Sequence, residues 1–191
     1  MTTAVLDQTT RTTWVIDPTH SLVEFSAKHL MITTVKGRFA GVRGTIGVDQ
    51  ANPASSKAEV TIDASSIDTR TEQRDQHLRS ADFLDVANHP EITFRSAKVV
   101  GRFASPGDSF RLIGALTIRG VTREVELDAS FEGQGKDPWG GHRMSFSATT
   151  KIDRRDFGLT WNQALETGGI LVGNEIKIAL EVQATQDLDL R

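Results

Sequence analysis

The 191-residue chain has no cysteine. Disulfides, thiolate nucleophiles and cysteine-ligated zinc are excluded together, and a reducing compartment suits such a composition. No apolar run approaches the roughly 18 residues that a membrane-spanning helix needs. The opening stretch MTTAVLDQTTRTT lacks both the basic start and the apolar core of a secretory signal, so the expectation is a cytoplasmic protein. Charge of one sign is also scarce. The net charge is −3 and the basic residues are scattered along the chain, which argues against an electrostatic grip on nucleic acid or anionic membrane.

Chemical motifs are few. His20, His29, His77, His89 and His142 show no helical one-turn spacing, so no metal pair is written in the sequence. No G-x-S-x-G nucleophile elbow occurs. Asp156-Phe157-Gly158 spells the magnesium tripeptide of kinases, but the companion loops and lysine are missing. Gly168-Gly169 and Gly173 are not followed by the helix and Lys-Ser/Thr of a phosphate loop.

What the chain does contain is alternation with period two. Val23 and Phe25 alternate with Glu24 and Ser26, Val60 and Ile62 with Glu59 and Thr61, and Phe110, Leu112, Gly114, Leu116 and Ile118 share one face. Val125, Leu127, Ala129 and Phe131 oppose Glu124, Glu126 and Asp128. Met144, Phe146 and Ala148, then Ile176, Ile178, Leu180 and Val182, repeat the pattern. After Ile92 and Phe94 either Val99 or Val100 faces inward. About eight antiparallel strands with short turns result, which predicts an all-β, lipocalin-like closed barrel. We expect a loose tail over residues 1–12, one barrel domain over 13–185 and a short tail over 186–191. The segment His29 to Val35 reads as a single helical turn. Gly37, Gly41, Gly44 and Gly47 punctuate the strand region that follows it, as bulges or sharp coiling would require.

One stretch breaks the alternation. From Thr69 to Phe94, Thr69 and Glu72 fit a capping box, Asp75 and Arg79 sit one turn apart for pairing on an exposed face, and Arg74, Leu78 and Ala81 fall near one stripe. Phe83, Leu84 and Val86 extend the apolar surface, and His89-Pro90 stops the helix. The reading is a short helix, about residues 70–80, inserted between strands and lying across an open end of the barrel.

A barrel of this size is either filled by side chains or holds one small ligand. The inward set is Val23, Phe25, Phe39, Ile62, Ile92, Phe94, Leu116, Phe146 and Ile178, apolar and uncharged, which would select a hydrophobic molecule. Trp161, in the loop before the last strand, either caps the core or touches a ligand at the mouth.

The residues Trp14-Val15-Ile16-Asp17, Val35-Lys36-Gly37-Arg38-Phe39, Arg74-Asp75-Gln76-His77-Leu78-Arg79-Ser80-Ala81-Asp82-Phe83-Leu84-Asp85-Val86, Pro90-Glu91-Ile92-Thr93-Phe94, Leu116-Thr117-Ile118-Arg119-Gly120-Val121-Thr122 and Arg155-Asp156-Phe157-Gly158-Leu159 resemble those of the YceI family, the lipocalin-like polyisoprenoid-binding group. The likeness spans about residues 14–184. It implies an eight-stranded barrel with a helix closing part of one end, often as a homodimer, and a long apolar tunnel for an isoprenoid quinone or polyprenyl compound. Many relatives are exported; without a signal peptide in this chain, a periplasmic carrier role does not transfer.

The leading expectation is non-enzymatic binding, storage or transport of an isoprenoid-type lipid, with Phe83 joining the apolar wall and Arg74, His77 and Trp161 as headgroup candidates. No cofactor beyond that ligand is implied. Two alternatives stand beside it. One is an enzyme on a hydrophobic substrate, with His77 or His89 as acid or base near Asp75, Asp82 or Asp85. The other is a stress-response structural module with a filled barrel.

Overall fold

The structure, a computed structural model, describes residues 11–166 and 168–187. The expected tail over residues 1–12 lies mostly outside them, as does most of 186–191. Strand β1 (Arg11–Ile16) already begins within the stretch expected as tail. It is followed by β2 (Leu22–His29), β3 (Thr33–Phe39), β4 (Val42–Asp49), β5 (Lys57–Asp63) and the short β6 (Ile67–Asp68). Helix α1 (Glu72–Arg79) comes next, then β7 (Glu91–Gly101), β8 (Ser109–Ile118), β9 (Val121–Lys136), β10 (His142–Asp153) and β11 (Val172–Asp187).

The strands pair in the order β1-β4-β5-β7-β8-β9-β10-β11, and β11 returns to β1, closing an eight-stranded antiparallel barrel. The sixteen residues of β11 serve two neighbours in succession. Ala184–Asp187 pair with β1, whereas Val172 and Ile176–Glu181 pair with β2, which carries β3 and β6 beside it. Strands β1 and β2 are thus two halves of one bent strand, as are β3 and β4. The bend between β1 and β2 is held by Asp17, which accepts from Thr19 N (2.9 Å), His20 Nδ1 (2.8 Å) and Arg143 Nη1 (2.9 Å).

Period-two patterning predicts faces well until a bulge intervenes. A register shift between Ser96 and Lys98 turns Val99, and not Val100, into the core, where it is buried. Two glycines sit where rings need room. A Cβ on Gly37 would overlap the end of the Phe25 ring, and one on Gly114 would come within 2.7 Å of Phe94 Cζ. Absence of a side chain at each lets a neighbouring phenyl ring lie flat over the backbone.

The segment expected as a helical turn is a hairpin turn. Ile32 N donates to His29 O (3.1 Å), and Leu30 and Met31 take φ of 53° and 60°. Seven cross-strand pairs between β2 and β3 zip up to this turn, and their pairing outweighs the local apolar pattern that suggested helix.

The helical insert forms where expected, but its polar contacts differ. Helix α1 begins after Thr71, and no capping box forms between Thr69 and Glu72. Thr69 Oγ1 donates instead to Asp75 Oδ1 (2.5 Å), which also accepts from Thr69 N (2.9 Å). Asp75 is therefore buried and not on an exposed face with Arg79. Arg79 donates to Ser65 O and Ile67 O, both at 2.9 Å, and lies 3.5 Å from Glu72. Burial reverses the expectation: a carboxylate taken from water must be satisfied locally, and Thr69 supplies both donors. Of the expected stripe, Leu78 packs on the core, Arg74 turns to Thr69, and Ala81 is exposed.

Candidate functional site

The barrel encloses a cavity of about 290 Å³. It is hollow where sequence pattern left filled and hollow barrels equally open. Val23, Phe25, Phe39, Ile62, Ile92, Phe94, Leu116, Phe146 and Ile178 all line it, together with Phe83 from the segment after α1. Every one is held there by the alternation of its strand or, for Phe83, by a backbone turn in which Phe83 N donates to Ser80 O (3.0 Å).

At one end the cavity stops against a cluster of rings. Phe103, Phe110, Phe131 and Phe146 stack with centroids 4.9 to 6.2 Å apart, and Trp14, Val48, Met144 and Ala184 are buried beside them. Phe146 belongs to both plug and cavity wall. Phe103 was invisible to sequence reading because it follows Gly101 in an aperiodic loop; only the fold brings it to Phe146.

The other end is covered by the insert. Phe83, Leu84, Leu78, Phe157 and Leu159 form its apolar lid. Above Phe83 stand His77 and Trp161, with ring centroids 5.0 and 5.2 Å from it and 4.7 Å from each other. His77 Nε2 is 2.9 Å from Asp82 Oδ2. His77 and Trp161 thus meet at the mouth, behind Phe83 and outside the cavity wall. Arg74 does not join them: it donates to Thr69 Oγ1 (2.7 Å), Thr69 O (2.8 Å) and Thr71 Oγ1 (3.1 Å). Asp85 accepts from the Asn88 side chain, and the His89 ring lies against Gly120, so neither completes a His–Asp pair.

Among the charged residues along the wall, Glu24 and Lys57 are exposed and Arg154 is buried. Arg154 follows β10 and spends its guanidinium on backbone carbonyls: Leu159 O (2.7 Å), Trp161 O (2.8 Å), Gly173 O (3.1 Å) and Val172 O (3.4 Å). It ties both ends of the loop carrying Trp161 to the barrel rim. Burial pulls its pKa below the ordinary arginine value, partly offset by the nearby Asp153 charge. In sequence it reads as one more surface cation before a turn. Asp153 is held down at about 2, chiefly by the Arg155 guanidinium beside it. Among the described residues, no group of three or more His, Asp or Glu side chains could hold a metal ion. No helix among them is long and apolar enough to cross a membrane.

An antiparallel eight-stranded barrel with an apolar cavity and one helical cap defines a lipocalin-like protein. Its sequence is more specific. Residues 14–184 match the family model described as YceI-like domain, and the chain belongs to that family. It is 44% identical over 141 residues to a UPF0312 protein of Pectobacterium atrosepticum, covering 74% of this chain and 71% of that one. Protein YceI of Salmonella newport is likewise 44% identical, with 74% and 72% covered. The YceI protein of Campylobacter jejuni has a similar structure, with TM-score 0.68, 32% identity, and 84% and 90% of the two chains covered. A polyisoprenoid binding domain from Saccharophagus degradans, implicated in plant cell wall breakdown, shares the fold at TM-score 0.69 and 14% identity, covering 91% and 98%.

Proposed function

We propose that this protein binds, stores or transports an isoprenoid-type lipid, a quinone or polyprenyl compound, within the barrel and without transforming it. The observation that carries this reading is the cavity: a continuous apolar wall, drawn from strands all round the barrel and sealed at one end by phenyl rings. Burial of each methylene gains about 0.8 kcal/mol, so an isoprenoid tail supplies its own driving force without directional contacts. The fold shared with the polyisoprenoid binding domain supports the choice of ligand. In this reading Phe25, Phe94, Phe146 and the other cavity residues contact the tail. His77 and Trp161 meet the headgroup at the mouth, and Arg74 positions the insert through Thr69. A homodimer, as the family resemblance implies, is part of the same proposal and is tested by sedimentation velocity.

A catalytic reading has less to stand on. The His77–Asp82 pair is the sole His–Asp side-chain pair near the mouth among the described residues, and it lies outside the cavity lining with no nucleophile or metal site beside it to complete a catalytic set. Mass spectrometry of an organic extract of the purified protein tests the proposal. An isoprenoid in stoichiometric amount, recovered unchanged after incubation, is the expected result. A barrel that copurifies with no lipid and shows no saturable binding of an isoprenoid quinone overturns it.

A further inference from the structure

The β2–β3 hairpin ends in a combination that folding alone does not favour. Its turn places two consecutive side-chain-bearing residues, Leu30 and Met31, at positive φ. Two consecutive positive-φ positions ordinarily take Asn-Gly, and the two-residue β8–β9 turn fills them with Arg119-Gly120, whereas the β2–β3 loop has one residue more, Ile32. Here Leu30, Met31 and Ile32 are 38%, 59% and 78% exposed. A strained turn thus holds three adjacent apolar side chains out into solvent.

Beneath the tip the fold collects cations that are scattered in sequence. Lys151 faces Lys177 across β10 and β11, Lys177 faces Ser26 on β2, and Ser26 faces Lys36 on β3. Lys28 lies on the same outer face of β2, two residues from Ser26 and nearer the tip. Glu24, Glu175 and Asp153 are carboxylates beside this row, with Asp153 facing Glu175 and held by Arg155, and Glu166 is on the neighbouring loop. Lys151 approaches Glu175 at 4.0 Å; Lys28, Lys36 and Lys177 make no ion pair among the described residues. Like charges facing each other across a ladder are unfavourable unless an external anion meets them.

We infer that the Leu30–Met31–Ile32 tip inserts into the interfacial region of an anionic lipid bilayer, with Lys28, Lys36, Lys177 and Lys151 set against its headgroups. An exposed apolar tip above a basic band is the pattern that binds such interfaces. A second copy of the chain is a poorer occupant. A stable interface buries about 800 Å² per partner, and three side chains on a protruding turn offer a fraction of that. The place is apt for lipid exchange: Leu30 N donates to Leu171 O (2.8 Å), and Ala27 and Val172, directly below, line the cavity. The net charge of −3 does not reveal this band, because strand pairing and not chain order brings its lysines together.

The test uses full-length protein and vesicles of phosphatidylcholine, alone or mixed equally with phosphatidylglycerol, free of any isoprenoid. Its outcome is therefore independent of ligand identity. The protein should cosediment with the anionic vesicles, less so as salt rises. The variant Leu30→Asn/Met31→Gly/Ile32→Thr should keep or raise thermal stability, since Asn-Gly suits the turn, while its partition falls about tenfold or more. Lys28→Gln/Lys36→Gln should weaken binding to anionic vesicles only. Absence of wild-type binding at low salt, or equal binding by the turn variant, overturns the inference. So does a concentration-dependent dimer that the turn variant abolishes while vesicles bind neither protein.

Discussion

Phe25 on β2 and Gly37 on β3 are direct cross-strand partners, and the Phe25 ring occupies the space a side chain on Gly37 would take. The ring is thereby laid along the cavity wall. Gly37→Ala forces it inward or strains the pair, and overpacking of this sort costs about 1–3 kcal/mol. We predict a lower thermal midpoint and a smaller capacity for ligand. Gly47→Ala on β4 is the control, because its nearest neighbour is 4.0 Å away, and it should be close to neutral. Equal effects of the two substitutions would remove the steric argument.

If the cavity holds an isoprenoid tail, affinity should climb with tail length and level off once the barrel is full. Each five-carbon unit contributes up to about 3 kcal/mol gross before the cost of ordering the tail. Titration by tryptophan fluorescence reads this, with Trp161 beside Phe83 as the reporter. His77→Ala should shift affinity by about 0.5–1.5 kcal/mol. Affinity indifferent to tail length would contradict a binding tunnel, and a loss of turnover in the variant of about 100-fold or more would identify a catalytic histidine.

Arg154→Met should be among the most damaging substitutions at the rim. It leaves the carbonyls of Leu159, Trp161 and Gly173 without their donor, and each buried unsatisfied group costs about 1–3 kcal/mol. Urea denaturation should show the loss. Limited proteolysis should show earlier cutting between residues 159 and 173 than elsewhere. A stable variant with an uncut loop would mean that packing of Phe157 and Leu159 suffices.

Acid should loosen the β1–β2 corner. Asp17 is held well below the usual carboxylate range, first by the Thr19 hydroxyl and then by His20 and Arg143, against a burial effect of opposite sign. A carboxylate depressed in the folded state stabilises it above the unfolded pKa, and that stability is lost as pH falls through the folded value. Asp153, with folded pKa about 2 against an ordinary 3.8, acts in the same direction. Stability should therefore decline from about pH 4 downward. Asp17→Asn should be less stable at neutral pH and show a shallower decline. An unchanged acid profile would mean that Asp17 is equally perturbed in the unfolded chain.

Strand alternation is a local property, because side chains on a strand point to opposite faces whatever the strand pairs with. The shared faces of Val125 to Phe131 and of Ile176 to Val182 are therefore legible in the sequence, and all but Phe131, which joins the ring cluster at the end, line the cavity. The insert was legible for a similar reason: Thr69 to Phe94 breaks the period and ends in His89-Pro90. Its polar contacts were not, since spacing along a helix says which residues neighbour one another but not which face is buried. Asp75 looked solvated and is enclosed by Thr69. Bulges also escape local reading, as Val99 shows, because one extra residue appears only when partner strands are aligned. Whether the barrel was hollow depended on how rings of strands distant in sequence fit together, with Phe25 lying over Gly37 and Phe94 over Gly114. The same is true of charge. Lys28, Lys36, Lys151 and Lys177 are scattered cations in the sequence and neighbours in the sheet, since strand pairing, not chain order, sets which side chains share a face.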